Sequence, residues 1–200
     1  MNVNQLKNEM VMVINNLHNK GCSPATSTNY SFKDNDNQIW VTRSGIDKSI
    51  IRVDDFITIS SEGKSIGEYK DLRPSAESII HCVLYEMFPE TKFILHSHGI
   101  FPVLISSRVY PEFRIQGYEL QKGFPHHQTH QTESIIPVFC NNQDMEYFKK
   151  ELMERKRQLN NNCFIIEKHG IYAWGNTLLD AKKHLETLEY LCQCEFLNSK

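Results

Sequence analysis

Two histidines, His96 and His98, stand where an apolar run, Lys92-Phe93-Ile94-Leu95, ends. Residues two apart in a β-strand share a face. If the run is a strand, both imidazoles project the same way from a rigid element. Neutral imidazole is a ligand for zinc and similar ions, and a catalytic zinc takes three protein ligands with a fourth position open. The pair therefore needs a third ligand. His169 follows another apolar run, Cys163-Phe164-Ile165-Ile166, and precedes Gly170, which permits a tight turn or a close backbone approach. His126, His127 and His130 are further candidates, but no apolar scaffold holds their loop, and a polar loop or the rim of a site suits them better. His18, His81 and His184 fall within helical patterns, where packing or exposure accounts for them.

Two carboxylates stand out as groups that could move protons. Glu77 sits beside Ser75 and Ser78 in the expected first turn of a helix, where the helix dipole favours an acid in any case. Glu119 lies in a short expected helix beyond the His96–His98 strand, and a surface position would explain it equally well. The small polar turns Ser27-Thr28-Asn29, Ser44-Gly45 and Pro74-Ser75 offer hydroxyls and backbone amides of the kind that cradle an anion, with Lys48 and Arg73 close in sequence to add positive charge.

The elements that must position these groups follow from hydrophobic periodicity. Helical spacing predicts helices over 4–19, 75–88, 116–122, 142–159 and 176–197, and strand patterns appear at 39–42, 56–59, 135–139, 163–167 and 171–174 besides the histidine strand. Pro137 marks its strand as an edge or a strand end. Strands and helices alternate irregularly and two strand pairs look like hairpins. The expectation is an α/β fold, one domain over residues 1–200, with a mixed sheet covered by helices.

Composition sets the outer bounds. Of 200 residues, 40% are hydrophobic and 23% charged, as in an ordinary globular domain with a substantial core. A formal net charge of -2 argues against bulk attraction to nucleic acid or to an anionic membrane surface. No apolar run nears the ~20 residues that cross a bilayer, and the polar start lacks a secretory pattern, so a cytoplasmic location is expected. Cys22, Cys82, Cys140, Cys163, Cys192 and Cys194 are scattered without a CxxC, consistent with reduced packing cysteines.

Taken in order over residues 22–198, the Ala25-Thr26-Ser27-Thr28-Asn29 turn, Ser44-Gly45, Pro74-Ser75-Ala76-Glu77, His96-Ser97-His98 and His169-Gly170 resemble the class II aldolase/adducin family. Leu72 to Glu77, Tyr118 to Gly123, Lys168 to Gly175 and His184 to Leu191 are most similar to the branch that dehydrates methylthioribulose 1-phosphate in methionine salvage. The resemblance implies a three-layer domain around a largely antiparallel mixed sheet. It implies one zinc ion per subunit on His96, His98 and His169, and a substrate phosphate near Thr28, Asn29, Ser44, Gly45 and Ser75, with Lys48. Glu119 matches the acid/base glutamate of the dehydratase branch, and Glu77 matches that of the sugar-phosphate aldolases. Thr28 departs from the pattern, standing where the family usually has glycine. The family commonly forms homotetramers with sites at subunit interfaces, so a neighbouring chain would complete the site. The alternatives are an aldolase or epimerase with the same metal chemistry, and a non-catalytic interaction protein of the adducin type. An apolar pocket for the methylthio end is expected, with Phe101, Phe113 and Tyr172 as its first candidates.

Overall fold

Apolar alternation in the short strands builds one eight-stranded sheet. The computed structural model describes residues 2–199. In chain order the elements are α1 (Val3–Asn19), β1 (Tyr30–Lys33), β2 (Ile39–Thr42), β3 (Phe56–Ile59), α2 (Ser78–Met87), β4 (Phe93–Ser97), α3 (Ile100–Ser106), β5 (Glu112–Ile115), β6 (Ser134–Phe139), α4 (Met145–Glu154), β7 (Cys163–Ile166), β8 (Gly170–Gly175) and α5 (Leu178–Asn198). The strand order is β3-β2-β1-β4-β8-β7-β6-β5. Every neighbouring pair is antiparallel except β6 with β7. The sheet is thus mixed and largely antiparallel, as expected.

Strand parity sorts the core into two layers. Phe93 and Leu95 of β4 and Ile171 and Ala173 of β8 face one side, where Met10 and Ile14 of α1 and Leu185, Leu188 and Leu191 of α5 cover them. Ile94, Tyr172 and Trp174 face the other side, against Ile80, Val83 and Leu84 of α2 and Phe148 and Leu152 of α4. Helices therefore cover both faces, giving three layers. Side-chain caps start three of the helices. Asn2 accepts from the Gln5 amide, Asp144 from Glu146 and Tyr147, and Thr177 from Asp180. Among the described residues, no helix is long and apolar enough to cross a membrane.

Several boundaries differ from the periodicity, each for a local reason. The helix expected over 75–88 begins only at Ser78, because Ser75 to Glu77 form a turn closed by Ser78 N to Ser75 O. Glu77 therefore stands before the helix and not in its first turn. The expected helix over 116–122 is a 3-10 turn at Glu119–Gly123. The helix expected over 142–159 ends at Glu154 and continues as a 3-10 turn at Lys156–Gln158. Pro137 does not mark an edge. Ser134 to Pro137 pair with β5, and Val138 and Phe139 pair with β7, so the residue without an N–H falls where β6 changes partners. Three elements left no clear periodic signal: β1 and β5 are four residues long, and the seven-residue α3 carries Pro102 in its first turn.

Phe164 is fully buried, stacked on Tyr172 and in contact with the rings of Phe139, Phe148 and Trp174. Phe164→Ala should cost about 3–5 kcal/mol, as expected for an aromatic truncated in a close-packed core. Urea unfolding measures this, and a loss below about 1 kcal/mol would show that the α2/α4 layer is not packed as described.

Candidate metal centre and anion cavity

His96 is the last residue but one of β4 and lies opposite Tyr172 of β8. Its parity matches Ile94, so its ring turns to the α2/α4 face and stacks on the Tyr172 ring at 4.0 Å. Its Nδ1 donates to the Ile171 carbonyl at 2.9 Å, which leaves Nε2 bare. His98 follows on the same side, its amide donating to Cys22 O at 2.8 Å and its Nε2 lying 2.8 Å from His96 Nε2. His169 arrives from the β7–β8 turn, in which Lys168 takes φ +52°. A Cβ on Gly170 would collide with the Ser97 carbonyl, so glycine is what allows the turn to close against β4. His169 Nδ1 lies 3.2 Å from Asn141 Oδ1, which orients the ring. Nitrogens of the three rings lie within 4.8 Å of one another.

Glu77 closes the cluster. Its carboxylate lies 2.9 Å from His169 Nε2 and 3.4 Å from His96 Nε2. It accepts from Asn29 Nδ2 at 2.6 Å and from the Tyr172 hydroxyl at 3.3 Å. Burial raises this carboxyl, but His96, His169 and Asn29 outweigh that and hold it well below the usual carboxylate range. Behind Asn29 stands His81, which donates from Nε2 to Asn29 Oδ1 and accepts at Nδ1 from Ser31 Oγ at 2.6 Å. Its helical pattern suggested packing or exposure; the ring is wholly buried and orients the amide that holds Glu77.

The donor set suits a metal ion. Burial first, and the neighbouring imidazoles second, push His98 down to about 3, and burial pushes His96 down to about 4. Both are neutral at physiological pH, and two of the three rings have their outer nitrogen committed to an oxygen. Three nitrogen donors leaving a fourth position free match catalytic zinc chemistry.

Beside the cluster lies a cavity of about 180 Å³ that reaches Thr28, Asn29, Ser44, Gly45 and Ser75. All five turn residues expected near an anion are thus brought together with His98, His169 and Glu77. Gly45 takes φ +78°, and Thr28 takes φ +71°, a conformation that is easy for glycine and strained for a β-branched residue. The Thr28 hydroxyl donates to Ser23 Oγ at 3.2 Å. Lys48 is buried, and its ammonium donates to the carbonyls of Ser27 at 3.1 Å and Ile46 at 2.8 Å. Burial lowers it to about 8. The cation that lines the cavity is Arg43, which the sequence did not single out; its guanidinium is paired with Asp55 at 2.9 Å.

Glu119 is not brought to this cluster within the chain. Its side chain is 72% exposed and pairs with Lys122 at 2.5 Å and His130 at 3.5 Å. Of the three residues suggested for an apolar pocket, Tyr172 borders the cluster, stacked on His96 and donating to Glu77, while Phe113 is a core residue of the opposite layer and Phe101 lines a cavity bounded by α3 and α5.

Residues 8–196 match the Class II Aldolase and Adducin N-terminal domain. The chain belongs to the class II aldolase/adducin family. Two relatives in this family are methylthioribulose-1-phosphate dehydratases. The one from Picosynechococcus sp. is 44% identical over 191 residues, covering 94% of this chain and 90% of that protein. The one from Stenotrophomonas maltophilia is 38% identical over 197 residues, covering 96% and 91%. The crystal structure of L-fuculose-1-phosphate aldolase from Thermus thermophilus shares the class II aldolase fold, with a TM-score of 0.79 at 21% identity over 99% of this chain and 97% of that one.

One group behind the strand that carries His96 was not evident from the sequence. Ser97, of opposite parity to His96, donates to Glu189 of α5, and a Cβ on Gly99 would collide with that carboxylate. Burial pushes Glu189 up to about 7. A carboxyl raised above its unfolded value near 4.3 binds more protons folded than unfolded, so its contribution to stability is present below about pH 4.3 and lost as pH rises through 7. Glu189→Gln should therefore gain stability relative to the parent between pH 5 and pH 8. Urea midpoints at both values check this, and a constant offset would refute it.

Proposed function

We propose that this chain dehydrates 5-methylthioribulose 1-phosphate to 2,3-diketo-5-methylthiopentyl 1-phosphate, a step of methionine salvage, in the cytoplasm and as a homotetramer. The observation that carries the reading is the cluster of His96, His98 and His169, within 4.8 Å, beside a cavity lined by hydroxyl-rich turns. The substrate comes from the names of the relatives, which are 36–44% identical over most of the chain.

His96, His98 and His169 would hold one zinc ion per subunit, supplying a Lewis acid for the ketone oxygen at the second carbon of the sugar. Thr28, Asn29, Ser44, Gly45 and Ser75 offer hydroxyls and amides to the phosphate, with Arg43 adding a guanidinium. Lys48 braces the phosphate turns through Ser27 and Ile46 and adds positive field from beneath. Glu119 takes the proton from the third carbon and returns a proton to the hydroxyl leaving the fourth. Water departs, and the remaining enol ketonises to the diketone. The exposure of Glu119 on its own chain suits a carboxylate that serves the site of a neighbouring subunit. Glu77, ionised and held by His169 and Asn29, supports the reacting centre.

One observation favours a second reading, aldol cleavage between the third and fourth carbons: Glu77 is in contact with the histidines and Glu119 is not. Product analysis with methylthioribulose 1-phosphate decides between them. The diketone is expected, and a three-carbon ketose phosphate would sink the dehydratase reading. Stoichiometric zinc should accompany the purified protein, His169→Ala should lose it, and chelation should stop turnover. Glu119→Gln should keep the metal and lower kcat by about 10²–10⁴-fold; full activity in that variant would remove Glu119 from its role.

A further inference from the structure

His98 is the least supported of the three clustered histidines on its own side of the sheet. His96 is held by the Ile171 carbonyl, and His169 lies against Asn141. Among the described residues, the His98 ring has no oxygen partner; its bonded neighbour is His96 Nε2 at 2.8 Å. The sheet does not fix it either. The β4–β8 ladder stops at Ser97, paired with Ile171, and α3 starts at Ile100. His98 and Gly99 therefore form a short link between a strand and a helix. A side chain in such a link keeps the freedom of its backbone unless contacts on either side remove it.

Those contacts come from the other face. Between two strand histidines of one parity, the middle residue points away from both rings. Here it is Ser97, fully buried, and its hydroxyl donates to Glu189 of α5. The Gly99 amide donates to the same carboxylate. One side chain thus grips the residue before His98 and the residue after it. The fit is close, since a Cβ on Gly99 would collide with that carboxylate. The His98 amide donates to Cys22 O at 2.8 Å, so three successive residues are anchored. A carboxylate can accept both flanking donors at once, and an alkyl side chain can accept neither. We infer that Glu189 is a positioning residue for the metal centre, fixing the direction of His98 through Ser97 and Gly99. The inference rests on the metal reading of the three histidines. Glu189 lines the cavity bounded by α3 and α5, not the anion cavity, so it acts through His98 and not through the substrate. Groups that orient a ligand from outside account for roughly 10- to 100-fold in metal affinity.

The test is zinc binding to the metal-free protein, read by competition with a chromophoric chelator, so it needs no turnover. Glu189→Ala should weaken zinc binding by roughly 10- to 100-fold. Glu189→Gln should restore most of it, because the amide oxygen accepts from Gly99 while the NH₂ donates to the Ser97 hydroxyl. A general loss of structure would also lower affinity, and a double-mutant cycle separates the two. In a His98→Ala background, Glu189→Ala should have no further effect on zinc, since the residue it directs is gone. An equal fold-loss in both backgrounds, or an unchanged affinity in Glu189→Ala alone, overturns the positioning role and leaves the metal centre standing. If Glu189→Ala does not fold, Ser97→Ala takes its place: it removes one of the two anchors and should cost several-fold in affinity only while His98 is present, and any other pattern overturns the inference. If the wild-type protein takes up no zinc, the metal reading fails and takes the inference with it.

Discussion

The hydrogen bond from His96 Nδ1 to the Ile171 carbonyl joins a side chain of one strand to the backbone of the next. It forms only in the register that sets His96 opposite Tyr172, and the same register lays the Tyr172 ring flat against the imidazole. A slip of one residue would turn His96 toward α5 and bring Ser97 to the α2/α4 face. What prevents the slip is ordinary burial. Phe93 and Leu95 belong to one core layer and Ile94 to the other, and both layers are closed. The geometry of the candidate metal site thus hangs on the apolar alternation of three residues, Phe93, Ile94 and Leu95.

An ionised carboxylate beside buried imidazoles needs compensation, because removing a charge from water carries a penalty of several kcal/mol. Here the compensation is a directed chain of hydrogen bonds. Ser31 donates to His81, His81 donates to Asn29, and Asn29 donates to Glu77. Each donor fixes the orientation of the next, so the Asn29 amide presents its NH₂ to the carboxylate. The chain enters from β1 and α2, elements that supply none of the three clustered histidines, and it ties the site to the strand paired with β4 and to the helix packed over it.

The parts of the site legible in the sequence obey short-range rules. His96 and His98 could be paired because strand parity is two, and His169 because a glycine follows it at the end of an apolar run. The polar turns were recognisable from hydroxyls and glycine, and their convergence came from family order, not from local spacing. Glu77 was visible as an acid near a helix start but not as a member of the cluster, because the histidines its carboxylate meets lie 19 or more residues away along the chain. His81 was hidden for a different reason: a buried histidine that bonds at both nitrogens leaves the same helical pattern as one that merely packs. β1 (Tyr30–Lys33) and β5 (Glu112–Ile115) interleave polar residues and lack the apolar run that marked the equally short β2, β3 and β7, and the seven-residue α3 is too short for its period to show. Arg43 was missed because its neighbour Ser44-Gly45 drew attention to the turn and away from the cation beside it.

Pro137 has a mechanical consequence. With no N–H at the point where β6 changes partners, β5 and the first four residues of β6 join the rest of the sheet through pairing at Val138 and Phe139. The Glu119 turn travels with this wing, because the Gln121 amide is bonded to Ile115 O, Thr132 O and Ser134 Oγ. The three histidines belong to β4 and the β7–β8 turn, within the main body. The sheet pairing is not what seats this segment: Phe113, Ile115, Phe124 and Ile136 share one core with α5, and a Cβ on Gly123 would collide with Thr187. The exposed carboxylate of Glu119 is therefore carried by a backbone held as firmly as the one that carries the imidazoles, so it can be presented outward without the turn having to order first.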